Sequence, residues 1–201
     1  MSSARESYHH GNLRDALLET AFGLVDSEGV EALSMRALAR ATAVSSAAPF
    51  RHFADKQQLL QAVAEKASAD LRRNLDEAAD DRDDALTQFR AMTVAYVRFA
   101  AEHTQLFRLV QSTPSVSGAF LGEVNDERRL KLIALIYEGQ NAGLIPDADP
   151  ELIALSGEAL THGLARMIVD GHPRVRDLSS EDARKLALAA TQLLQSGIGL
   201  S

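Results

Sequence analysis

The chain has 201 residues, 46% of them hydrophobic, and no cysteine. That suits one large or two small domains with a sizeable core, and excludes a disulfide framework and a thiolate metal site. A net charge of −7 argues against indiscriminate attachment to polyanions, so any nucleic-acid contact must be local.

No run approaches 18 uninterrupted apolar residues, and MSSARESYHHGN lacks an apolar signal core. We therefore expect no membrane span and a cytoplasmic protein. A spacing of 3.6 recurs along the chain and strict alternation does not, which predicts an all-α fold. Residues 1–11 read as a flexible N-terminal arm. Asn12 is placed to cap a first helix, with Leu13, Leu17, Ala21, Leu24 and Val25 facing inward and Gly29 at its end.

The stretch SMRALARATAVSSAAPFRHF (34–53) follows. Ser34 caps one short helix, Leu38 and Ala39 point inward, and Val44 closes a turn into the core. A second helix is expected from Ser45 or Ser46 to about Phe53. Two short helices at a steep angle form a helix-turn-helix, whose second helix enters the major groove of DNA. Residues 34–56 carry four bases against one acid (+3). Residues 1–33 carry two against six (−4), and residues 57–201 fifteen against twenty-one (−6). A positive island on an acidic chain can meet phosphates.

Asp55-Lys56-Gln57-Gln58 has the pattern of a capping box. It opens a connecting helix over 56–76, with Leu59, Leu60, Val63, Ala67, Leu71 and Leu75 inward. The acidic run 76–84 reads as a solvated connector. A helix over 85–102 places Phe89, Met92, Tyr96 and Phe99 on one stripe, and a short helix after Thr104 carries Phe107. Residues 112–118 read as a loop. The next helix is expected over 119–141, with Leu130, Ile133, Ala134 and Tyr137 inward. Asp149-Pro150-Glu151 is a strong helix start, and Ser179 or Ser180 caps the final helix. Most aromatics fall in this second half, Phe120 and Tyr137 included. Phe89, Met92, Tyr96, Phe99, Phe107, Phe120, Tyr137 and His162 are the candidate lining of an apolar ligand cavity. Glu158 and His162 lie four apart on one helix face, where a hydrogen-bonded pair is the better reading than a metal site; no metal or other cofactor is expected.

Gly29, Leu33-Ser34, Leu38-Ala39, Val44-Ser45, Phe50-Arg51-His52-Phe53, Lys56 and Leu59-Leu60 together resemble the DNA-binding domain of the TetR family of bacterial transcriptional repressors. Thr161-His162-Gly163 is similar to the Trp…His-Gly signature of one C-terminal class, with Glu158 at the tryptophan position. The resemblance implies a DNA-binding domain over 12–55, a connecting helix over 56–76, and a ligand-binding and dimerisation domain over 77–201. It places Phe50, His52 and Lys56 among phosphate contacts, and Arg36, Ser45, Ser46, Ala47 and Pro49 at or near base-facing positions, with Ser34 and Arg51 completing the face. This sequence departs from the family at Phe50, where tyrosine is usual, and at Ala43, where glycine is. Pro49 removes an N–H from the second motif helix. The implied protein is a homodimeric repressor of a palindromic double-stranded DNA operator, released by a small apolar or aromatic effector. The rival is an all-α small-molecule-binding protein or enzyme with a vestigial motif. We find no phosphate loop, nucleophile elbow or HExxH, so no catalytic residue is assigned.

Overall fold

A computed structural model of the chain describes residues 3–80, 82–116 and 127–196. Among these residues the regular structure is helical: α1 (Ser3–Glu28), α2 (Met35–Ala41), a 3-10 turn (Pro49–Arg51), α3 (Lys56–Ala78), α4 (Ala85–Glu102), α5 (Thr104–Ser112), α6 (Glu127–Asn141), α7 (Pro150–Val169) and α8 (Ser180–Ser196). The all-α expectation holds. In place of the expected arm, α1 runs unbroken from Ser3, so position 12 lies inside the helix and not at its start.

The chain divides into two compact units. The first runs up to Ser68 and also takes the segment beginning at Gln105. The second comprises residues from Ala69 to Thr104 and the rest of the C-terminal part. The boundary thus differs from the expected division at residue 77. Leu106, Leu109, Val110 and Val116 join Leu17, Val25, Leu38, Phe53, Leu59 and Val63 in the core of the first unit. The side chain of Gln105 sits against Gly29, whose φ of +84° lets it close α1. Gln61 donates to Ser115 at 2.6 Å.

Local capping explains most boundaries in this unit. The Ser34 hydroxyl accepts from the N–H of Ala37 at 3.1 Å. The Asp55 carboxylate accepts from Gln58 N–H at 2.8 Å, while Gln58 Oε1 accepts from Ala54 N–H at 2.6 Å. Both groups satisfy backbone donors that the helix leaves without partners. α2 closes with a Schellman arrangement: Val44 N–H reaches Ala39 O at 2.9 Å and Ala43 N–H reaches Arg40 O at 3.2 Å. Ala43 therefore stands at φ 54°. A Cβ in this left-handed region is crowded, at a cost of about 1 kcal/mol that glycine avoids. We expect Ala43→Gly to raise stability by up to about 1 kcal/mol. A higher urea midpoint with unchanged slope would register it; a fall would mean that unfolded-chain entropy outweighs the strain.

The second motif helix is not an α-helix. Pro49 has no N–H to bond the carbonyl of Ser45, and that carbonyl takes the N–H of Ala48 at 2.9 Å instead. Arg51 N–H then bonds Ala48 O at 3.1 Å, and His52 N–H bonds Pro49 O at 3.0 Å. The segment is two tight turns, the second of 3-10 form.

In the second unit α4 packs against α7, α8 and α6. Val97, Ala183 and Ala187 form a small core with Val94, Leu164 and Ile168. Asp84 caps α4 by accepting from Leu86 and Thr87 N–H at 2.9 and 3.0 Å. Asp149 caps α7, with Pro150 at its first position. Ser179 and Asp182 bond reciprocally at the start of α8. The expected inward stripe of α6 is corrected: Leu130 and Tyr137 are exposed, whereas Ile136 and Gly139 are buried. The part of that helix expected over 119–126 lies outside the described residues. α7 is long and apolar enough to cross a membrane by length and composition alone, with 28% of its most apolar 18-residue window buried.

Candidate functional site

Two groups of residues invite function, one in each unit. In the first unit, Arg36 and Arg40 are exposed on α2, and Ser45, Ser46 and Ala47 are exposed on the turn after it. Ser34 is also exposed, but its hydroxyl is engaged as the α2 cap. Phe50 is 52% exposed beside exposed Arg51, and His52 and Lys56 are half-buried. Lys56 opens α3 beside Asp55, whose carboxylate already caps that helix start. Pro49 is buried, so the base-facing place expected for it is withdrawn. Its ring is held inward by the same turn that its missing N–H creates. Arg14, which no local pattern singled out, lies over the ring of Phe53 at 5.2 Å. Packing brings it to the motif from twenty or more residues away in sequence. Arg14, Arg36, Arg40, Arg51 and Lys56 thus give this unit a set of cations around an accessible turn.

The second unit holds a cavity of about 530 Å³. α4 contributes Phe89 and Met92, α6 Leu132, Leu135 and Ile136, and the following loop Leu144, Ile145 and Pro146. α7 adds Ile153, Gly157 and Glu158, and α8 adds Thr191, Leu194 and Gln195. The lining is mostly aliphatic, which suits an apolar guest. Gly157 is needed for the approach of α4: a Cβ there would come within 2.8 Å of the Phe89 ring. A second cavity of about 540 Å³ shares Met92, Leu132 and Leu135 with the first.

Of the expected lining residues that are described, Phe89 and Met92 line the main cavity. Phe107 is fully buried on α5, outside it, and Phe99 packs against His103 with ring centroids 5.0 Å apart. Tyr137 is exposed, and Phe120 lies outside the described residues. Tyr96 and His162 bond each other, hydroxyl to Nδ1, at 3.0 Å. One turn away, the hydroxyls of Thr93 and Thr161 meet at 3.0 Å with both residues buried. These pairs tie α4 to α7. The sequence does not single out Leu132, Leu135 and Ile136, because the apolar pattern of α6 allows two faces and only packing selects one.

Burial, and then the Arg166 guanidinium, hold the His162 pKa below its ordinary value, against the opposing pull of Glu158. The folded state therefore binds a proton at the His162 ring less readily than the unfolded state does. The neutral ring's contribution is fully present above about pH 6.5 and is lost as pH falls from there through the depressed folded pKa. We expect His162→Gln to flatten the stability profile between about pH 7 and 5, measured by urea denaturation. Parallel profiles for the two proteins would assign the acid sensitivity to other groups.

An exposed cationic helix-turn-helix on one unit, with an apolar chamber inside a second helical unit, defines a DNA-binding regulator. The family profile described as bacterial regulatory proteins, tetR family, matches residues 17–63, and the tetracyclin repressor-like C-terminal domain matches residues 89–191. The chain belongs to the TetR family of transcriptional regulators. It is 28% identical over 163 residues to the HTH-type transcriptional regulator BetI of Rhizobium meliloti (strain 1021), covering 75% of each chain. It resembles a solved protein of unknown function from Rhodococcus sp. RHA1 at 33% identity and a TM-score of 0.72, over 94% of this chain and 97% of that one. PfmR, a TetR family transcriptional regulator from Thermus thermophilus, shares the fold at 23% identity and a TM-score of 0.65, over 91% of this chain and 98% of that one.

Proposed function

We propose that this regulator is a cytoplasmic homodimeric repressor that binds a palindromic operator and is released by a small apolar or aromatic effector. The observation that carries the reading is the aliphatic cavity in the second unit, a chamber that DNA binding itself does not require. A dimer is supported by the outer faces of the last two helices. Leu155 and Met167 of α7 and Leu193 of α8 are exposed outside the cavity lining, and a twin pair of helices would bury them. The apolar character of α7 then belongs to a subunit interface.

Two heads about one helical turn apart, roughly 34–36 Å, read the two halves of a palindrome. α4 lines the cavity, and the chain passes from it into α5, whose side chains belong to the core of the DNA-binding unit. α3 also runs from one unit into the other. A guest that favours one arrangement of α4 therefore biases the heads. It releases DNA only through unequal affinity for the two states. Duplex fragments from the gene's own upstream region, labelled and titrated by fluorescence anisotropy, test this. Saturable binding of one dimer per palindrome is expected, weakening with salt. Failure to bind any such fragment at low ionic strength would reject the reading.

A further inference from the structure

We propose that the cavity of the second unit takes an amphiphilic organic cation, with its apolar body among the aliphatic side chains and its positive nitrogen against Glu158. This rests on the effector reading above and gives the effector its charge.

Among the described residues that line the cavity, Glu158 is the one that ionises. The polar remainder, Ser156, Thr191 and Gln195, is neutral. Glu158 is half-buried, and no ion-pair partner is found for it among the described residues. Arg166 pairs with Asp170 at 2.9 Å and Arg129 pairs with Glu151, whereas Arg90 keeps its charge beside the lining residue Gln195, to which it donates at 2.6 Å, and Glu158 itself acts on the ring of His162. The adjoining cavity has the same sign: Asp76 and Glu138 face one amine, Lys131, itself 3.3 Å from Glu127.

The sign of the guest follows from these charges. An anionic head entering an apolar chamber is desolvated and meets a carboxylate, with no lining cation to offset the cost. A cationic head is desolvated too, but meets an opposite charge. A neutral head of equal size lacks that attraction. The same tail with three different heads should therefore rank as cation, neutral, anion.

The test is calorimetric titration of the full-length protein with decyltrimethylammonium, decanol and decanoate, each below its micelle concentration. We expect the cation to bind at least about tenfold more tightly than decanol, equivalent to 1.4 kcal/mol, and decanoate to bind most weakly. Glu158→Gln should abolish the advantage of the cation while leaving decanol unchanged. Glu158→Lys should move the preference toward decanoate. Decanoate binding as tightly as the cation, or a cation preference that survives Glu158→Gln, would overturn the proposal while leaving the cavity an effector site. Heat from none of the three probes would overturn the effector reading itself, and the proposal with it.

Discussion

Replacing Arg51 and Lys56 together by alanine should lower operator affinity at least about a thousandfold at about 0.15 M salt, at about 1 kcal/mol or more per contact. A symmetric dimer carries each residue twice, so four phosphate contacts would disappear. The slope of log affinity against log salt should then fall by about 3.6, at about 0.9 per phosphate on duplex DNA. Arg51 is exposed and Lys56 half-buried, so the fold should shift by no more than about 0.5 kcal/mol per substitution. Lys185→Ala is the control. That lysine is exposed on α8 in the other unit, where it lies 3.6 Å from Asp182, and its loss should leave the slope unchanged. Equal slopes in all three proteins, measured by anisotropy from low to high salt, would move the DNA face away from the motif.

The second large effect concerns Leu106→Ala, which should cost about 2–5 kcal/mol. Leu106 is fully buried and belongs to the core that Leu17, Leu59 and Val63 build under the motif. Domains of this size hold only about 5–15 kcal/mol in total. The variant should lose amide protection over residues 13–67, and its operator affinity should fall with it. If residues 77–201 formed a closed separate domain, protection would instead be lost in α4, α7 and α8. Hydrogen exchange separates the two outcomes.

Helix ends are legible in the sequence wherever a cap settles them locally. Ser34, Asp55 with Gln58, Asp149 with Pro150, and Ser179 each bond within three residues, so a short window contains the whole cause. The proline at 49 is legible as a disturbance, but its extent is not. Losing one N–H turns an expected α-helix into i to i+3 bonds, because the Ser45 carbonyl finds a nearer donor. The membership of α5 in the first unit depends on contacts about forty residues away or more, and no periodicity carries that. The cavity is half legible. The aromatic stripe of α4 gives Phe89 and Met92, but Tyr96, on the same helix, spends its hydroxyl on His162. The polar residues expected to meet a ligand thus partly satisfy one another. On α6 both faces are apolar enough to serve, and the choice of Leu132, Leu135 and Ile136 belongs to tertiary packing.

One hydrogen atom at position 157 sets how deep the chamber is. Any larger substituent must displace the Phe89 ring, itself part of the cavity wall, and so reshape the space a guest would fill. Graded replacements at this position therefore offer a size dial for building sensors with narrowed ligand ranges. The dial sits wholly in the second unit and leaves the groove-reading surface untouched.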